Sequence, residues 1–337
     1  MKLFSAIIRS ALWALVLLTV SGICLGAPSV QRRILIVKSR DIPFYTPTLT
    51  GFIQGLQKRG YDSPDSTEIN VIVLTGDPEK DAVLVKQELS KSNNLVLTLG
   101  TDATIAVENG QPTCPCLFSM VLDPVSLKIA KSDTKPGGDF TGTTLLVDPG
   151  KQLETLEQVS PGVKTVGVLY TDGDATSIAF LAAASQEALA LNMQIISQPI
   201  GDYATDGRKA LSQLAGKVDA FWVIVDPSSA SQQALSDTLD IARQHSLPVL
   251  GISSANVKAG ALISLSANLS DLGDVDAEMA CPLLDGSMTP SQTAIRGPRQ
   301  LVLSINLGTA RTLGLKLPES VLHLADEVVD NTPSGQN

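Results

Sequence analysis

Residues Val166–Ser177 read VGVLYTDGDATS, and the change of character half way along this stretch decides the fold. Val166–Leu169 is a short run without polar alternation, the pattern of a strand buried on both faces. Thr171, Asp172, Gly173 and Asp174 then interrupt it with residues favoured in turns and at helix starts. Beyond Ser177 the apolar positions Ile178, Leu181, Ala182, Ala188 and Leu189 return at helical spacing. The stretch is a strand, a polar turn and the start of a helix.

The same unit recurs on both sides. Met193–Ile196, Phe221–Val225 and Pro248–Ile252 follow it, and Ile34–Val37, Val71–Leu74, Leu95–Leu99 and Leu117–Leu122 precede it. Within each series these runs start about 20–40 residues apart, room for one β-α-β unit each, and right-handed crossovers of such units build an open parallel sheet. Ser228–His245 shows the helical half again, with Leu235, Leu239 and Ala242 on one face. Between the two series lies Lys135–Gly142 (KPGGDFTG), rich in Gly and Pro. The predicted fold class is α/β: two doubly wound parallel-sheet lobes whose strand C-terminal ends border one cleft, where such sheets bind ligands.

Composition narrows the function. A length of 337 residues suits about two domains, and 44% apolar with 18% charged residues excludes wholesale disorder. With 34 acidic against 25 basic side chains, the chain has no basic footprint for nucleic acid. Two histidines cannot build a His-rich zinc site and leave few options for a Ser-His hydrolase. No G-x-x-x-x-G-K-[ST] is present and no G-x-G-x-x-G follows a strand, so no nucleotide cofactor is expected. Gly251-Ile252-Ser253-Ser254-Ala255 has the wrong spacing for a nucleophile elbow. The cleft suits a small-molecule binder or a two-domain enzyme, and the missing motifs speak against the enzyme, a two-lobe hydrolase included; neither cofactor nor metal is expected.

The N-terminus reads as an address. Lys2 and Arg9 precede the apolar core Ala11–Val20, and Ser21, Gly22, Gly26 and Ala27 supply small residues. This predicts a secretory signal peptide over 1–26, cut after Gly26, and export to the periplasm or beyond. The apolar core is too short for a spanning helix. Tethering through Cys24 is disfavoured by Ile23 before it. In an oxidising compartment the remaining Cys114, Cys116 and Cys281 suggest one disulfide. A Cys114–Cys116 bridge closes a very tight ring, so Cys281 with either partner is the preferred pair; three unpaired thiols are the alternative.

Polar residues stand immediately after the strand runs. Ser39 and Asp41 follow the first, with Phe44 and Tyr45 close behind; Thr101 and Asp102 follow the third and Asp123 the fourth. In the second series Thr171, Asp172, Asp174 and Ser177 follow one run, Asp226 another and Ser253 a third. A carboxylate there can pair with a ligand ammonium, and hydroxyls or helix N-termini can hold a carboxylate. Helix capping is the competing role for each of them.

The order of several motifs resembles one family. Gly51-x3-Gly55-Leu56-x3-Gly60-Tyr61 comes first, then Thr101, Asp123-Pro124-Val125, Pro136-Gly137-Gly138-Asp139-Phe140-Thr141-Gly142, and Val218-Asp219-Ala220 leading to Asp226 and Pro248-Val249. Last comes Ser304-Ile305-Asn306-Leu307-x2-Ala310-x2-Leu313-Gly314-Leu315-x2-Pro318, followed by Leu322-x2-Ala325-Asp326. From Ile34 to Val329 the chain resembles the ABC-transporter substrate-binding proteins of the type I periplasmic-binding fold, the group with tryptophan- and tyrosine-type binders. The resemblance implies three interlobe crossovers, with one lobe from 30–142 plus 270–298, the other from 143–269 plus 299–330, and a flexible tail over 331–337. It places the Cys281 helix in the lobe of Cys114 and Cys116, which permits a disulfide between them.

The implied function is an extracytoplasmic receptor that delivers a small solute, an amino acid or related metabolite, to a membrane permease and ATPase. The protein would act as a monomer. Expected ligand contacts are Ser39, Tyr45, Thr101, Asp102, Asp123, Thr171, Ser177, Asp226 and Ser253. An exported module that passes its bound signal to a membrane sensor is the alternative. Two departures touch the cleft: Thr171–Ser177 replaces an Asn-Pro-x-Glu-x-x-Ser loop, and Pro227 replaces an Asn. They leave room for a ligand other than an aromatic amino acid.

Overall fold

The computed structural model describes residues 32–61, 67–228 and 231–331. The expected signal peptide and residues 332–337 of the expected tail lie outside them. The first sheet contains β1 (Arg32–Lys38), β2 (Thr67–Val73), β3 (Leu95–Leu99), β4 (Cys116–Val121) and β5 (Phe140–Thr144) in the order β2-β1-β3-β4-β5, all parallel. Between them run α1 (Thr46–Lys58), α2 (Pro78–Leu89) and α3 (Thr101–Asn109). The lack of polar alternation in β1 is explained by its two faces. Ile34 and Ile36 pack with Phe52 and Leu56, while Leu35 and Val37 pack with Val85, Ala103 and Val107.

The second unit begins with α4 (Pro149–Val159), β6 (Thr165–Thr171), α5 (Ala175–Ala190) and β7 (Gln194–Ile200), and continues through α6 (Arg208–Ala215), β8 (Ala220–Trp222) and α7 (Gln232–Gln244). It goes on with β9 (Val249–Gly251), α8 (Ser254–Ala259) and β10 (Ile263–Ala267). The chain then leaves as α9 (Leu269–Leu284), which packs on α1 of the first lobe, and returns as β11 (Leu301–Asn306), α10 (Leu307–Thr312), α11 (Glu319–Leu324) and β12 (Glu327–Val329). The second sheet has the order β12-β11-β10-β9-β8-β6-β7. It is parallel except where β10 meets β11. The two parallel-sheet lobes expected from the sequence are present, with this single antiparallel pairing. The chain departs after β10 at the cleft end and re-enters at the same end, so β11 must run the other way.

Two glycines set the contact between α1 and α9. A Cβ on Gly273 would stand 2.0 Å from the Thr48 carbonyl oxygen, and one on Gly51 would stand 2.1 Å from that of Ser270. Backbone therefore lies directly on backbone, an approach only glycine permits. This contact binds the returning helix to the first lobe. The last crossover is fastened to the same helix. The Arg299 guanidinium bonds Asp271 and reaches Asp274 at 3.0 Å, while Arg296 reaches Glu278 at 2.7 Å. The Arg59 guanidinium, at 2.9 Å, holds the Asp274 carboxyl down at about 2. These groups are partly exposed, so Arg299→Gln is expected to cost only about 1 kcal/mol. The loss should be seen by urea unfolding at low ionic strength and should shrink at about 1 M salt.

Three sequence expectations change. Cys281 packs on the α1 face of the first sheet and Cys114 and Cys116 on the opposite face, so the preferred Cys281 disulfide is absent and all three thiols are free. The Gly/Pro-rich boundary runs into β5, and the chain leaves the first sheet only after Thr144. Asn331, assigned to the tail from its polar surroundings, is tied down. It accepts from Asn306 Nδ2 at 2.7 Å and donates to the Lys258 carbonyl at 2.8 Å.

Candidate ligand-binding cleft

In the first lobe the strand ends meet around Gly100. Ser39 leaves β1, its N–H donating to the Leu99 carbonyl at 3.0 Å and its Oγ accepting from the Ala103 N–H at 2.9 Å. That pair of bonds ties the end of β1 to the first turn of α3. Gly100 has φ of 91°, and a Cβ there would meet Tyr45 Oη at 2.5 Å and Ser39 Oγ at 2.8 Å. Burial pushes the Tyr45 hydroxyl above its usual acidity range, and its hydrogen bond with Ser39 opposes that shift. Gly100→Ala is therefore expected to destabilise the lobe by about 2 kcal/mol. Urea unfolding of the empty protein reads the loss.

Thr101 opens α3 half-buried, and its hydroxyl has no hydrogen-bond partner among the described residues. Asp102 is exposed, with Arg40 at 3.8 Å. Asp123 spends both carboxylate oxygens on its own loop, accepting from the N–H groups of Val125 and Ser126 and from the Ser126 hydroxyl.

The second lobe gathers three expected residues into one buried cluster. Asp226 accepts from the Thr171 N–H and Oγ1 at 2.7 Å each, from Ser177 Oγ at 2.8 Å and from the Ser228 N–H at 3.0 Å. The ends of β6, β8 and α5 are thus joined through one carboxylate. Asp174 caps α5 by accepting from the Ser177 N–H at 2.8 Å. Ser253 begins α8 without a side-chain cap bond, whereas its neighbour Ser254 bonds Ser304 at 2.8 Å.

Eight of the nine expected residues fall into two kinds, with Asp102 apart from both beside Arg40. Ser39, Tyr45, Asp123, Thr171, Ser177 and Asp226 are bonded into the protein and shape the strand ends. Thr101 and Ser253, one on each lobe, carry uncommitted hydroxyls. Apolar side chains accompany them: Phe44 is 44% exposed and Val225 43%, open enough to meet a ligand. Among the described residues no cluster of three or more His, Cys, Asp or Glu is placed to hold a metal. Cavities of about 40 and 10 Å³ lie inside the second lobe. They have room for a water or two, and neither touches Thr101 or Ser253.

Sequence reasoning missed Gly100 and the Lys38–Asp41 pair at 2.7 Å. The signal for Gly100 was a glycine between a buried strand and a helix, where a left-handed residue turns the chain. Lys38 ends an apolar run and gave no such sign.

Two α/β lobes joined by three crossovers, with polar groups at their strand C-terminal ends, have the type I periplasmic-binding fold. The model of the family described as ABC transporter substrate binding protein matches residues 41–329, and the chain belongs to that family. A tyrosine-binding protein of Clostridioides difficile (strain R20291) is 25% identical over 256 residues, spanning 76% of this chain and 73% of that protein. The crystal structure of an ABC domain in complex with L-Trp from Streptococcus pneumonia superposes with a TM-score of 0.76 and 25% identity, covering 89% of this chain and 100% of that one. A ligand-free, open substrate-binding protein with adhesive properties from Clostridium difficile gives the same TM-score, identity and coverage.

Proposed function

We propose that the protein is an exported receptor of an ABC import system. It captures a small solute between its lobes without transforming it and presents it to a membrane permease and ATPase. The observation that carries this reading is the pair of uncommitted hydroxyls, Thr101 and Ser253, each standing just after a strand of a different lobe. A solute enclosed between them loses water, so its polar groups need these partners and selectivity follows. The protein acts as a monomer and needs no cofactor.

The relatives that hold tyrosine or L-Trp make an amino acid the first ligand class to test. The exposed Phe44 and Val225 suit a solute with an apolar part. The Thr171–Ser177 loop and Pro227 set this cleft apart from the family pattern, so the ligand is a relative of an aromatic amino acid rather than necessarily one itself. Native mass spectrometry of gently purified protein should reveal a co-purified small molecule, and calorimetry should then compare it with L-tyrosine and L-tryptophan. Thr101→Ala and Ser253→Ala are each expected to weaken binding about tenfold, the value of one lost hydrogen bond. The melting temperature of the empty protein should not change. Unaltered affinity in both variants would remove the hydroxyls from the site.

A further inference from the structure

The first lobe carries a second chemically equipped place, at the opposite ends of the strands from the cleft. Cys116 is the first residue of β4 and is fully buried, while Cys114 stands half-buried just before it. Both thiols pack on one face of the sheet, in contact with the core around Val96 and Phe118. The Cys116 thiol donates to the Cys114 carbonyl at 3.5 Å, which folds it back toward its neighbour. The backbone between them is fixed on both sides. The Val96 N–H donates to the Pro115 carbonyl, and the Cys116 N–H to the Asp139 carbonyl, each at 3.0 Å. The thiols are therefore held together by the sheet rather than meeting by chance.

We propose that Cys114 and Cys116 form a reversible dithiol–disulfide site, oxidised by exchange with a disulfide-bearing oxidant. The Cys114 thiolate attacks the oxidant's disulfide, forms a mixed disulfide and releases one thiolate. The Cys116 thiol then loses its proton and attacks Cys114 Sγ, displacing the second thiolate. Two protons and two electrons leave the protein, and the oxidant is reduced to two thiols. The order follows from exposure and acidity. Cys114 is the accessible partner, and the neighbouring Cys116 thiol shifts its acidity toward the thiolate. Its neighbour and burial disfavour the thiolate of Cys116. The ring closed across Pro115 is tight, and strained disulfides are the easily reduced kind. The site is accordingly a switchable pair and not a permanent staple.

The test uses the reduced full chain in its folded state, treated with oxidised glutathione and quenched with acid. The peptide containing both cysteines is then weighed. In the parent it should lose the mass of two hydrogens and recover it in reduced glutathione at a concentration that leaves unstrained disulfides closed. Cys116→Ser should stop at a stable glutathione adduct on Cys114. Cys114→Ser should leave Cys116 unmodified, and Cys281→Ser should behave as the parent. A parent peptide that stays fully reduced, or that accumulates a lasting glutathione adduct, would overturn the proposal. So would a Cys116 that reacts equally well in the Cys114→Ser variant.

Discussion

Asp226→Ala is expected to lower stability by about 3–5 kcal/mol, the range for breaking a buried, charged hydrogen-bond centre, and to abolish ligand binding. The carboxylate is 3% exposed and Ser177 is 1% exposed, so water cannot take over the acceptor role at that hydroxyl. Removing it leaves the Thr171 N–H, the Thr171 and Ser177 hydroxyls and the Ser228 N–H without their common acceptor. The ends of β6 and β8 then separate from the start of α5, and the second-lobe wall of the cleft loses its shape. Asp226→Asn keeps one acceptor oxygen but turns an NH2 toward the donors, and should fall between the parent and the alanine variant. Urea unfolding of the empty protein gives the stability, and calorimetry gives the binding. A loss below about 1 kcal/mol, the size of an exposed pair, would show that the cluster is not a structural centre.

The second large effect concerns Asp276, which lies on α9 with no exposed surface. Its Oδ1 accepts from Thr143 Oγ1 at 2.7 Å, and Oδ2 has no partner among the described residues. Burial pushes its carboxyl up to about 7, and the hydroxyls of Ser119 and Thr143 restrain the rise. Between the ordinary carboxylate value and about 7, the folded chain holds a proton that the unfolded chain has released. Stability therefore falls as pH rises through this window and is flat above it, by as much as about 4 kcal/mol for a shift of this size. Asp276→Asn removes the charge and keeps the oxygen facing Thr143. At pH 8 it should be more stable than the parent by about 2 kcal/mol, and near pH 4 it should match the parent or fall below it. Equal differences at the two pH values in urea unfolding would contradict the titration of Asp276.

Much of the scaffold was legible because it rests on local pattern. Leu95–Leu99 shows no polar alternation and is β3 to the residue, a strand buried on both faces whose one polar side chain, Thr98, is bonded to Thr104. The polar turn after Val166–Leu169 was read as a helix start, and Asp174 caps α5 there. β5 was not legible. Its sequence, Phe140–Thr144 (FTGTT), has no apolar run, because Thr141 bonds the Thr293 carbonyl and Thr143 bonds Asp276. Those partners lie more than a hundred residues away, and no local pattern announces them. The reversed direction of β11 has the same origin, a chain that leaves the lobe and returns.

The site was half legible. Strand-end positions picked out Thr101, Ser253 and the Asp226 cluster as candidates, since topology alone brings strand C-termini to one edge. Their division of labour was not visible. Whether a carboxylate faces a ligand or its own loop depends on donors that the fold supplies, as Val125 and Ser126 do for Asp123. The cysteines teach the same lesson. Sequence favoured a long-range pair through Cys281, but the first sheet stands between those thiols.

The central claim is that a solute is held between two lobes that close on it. Small-angle X-ray scattering, recorded across a titration with the compound found on the purified protein, tests this most directly. The account predicts a radius of gyration that falls and levels off at one equivalent of solute. Saturation at one equivalent with an unchanged radius would contradict it.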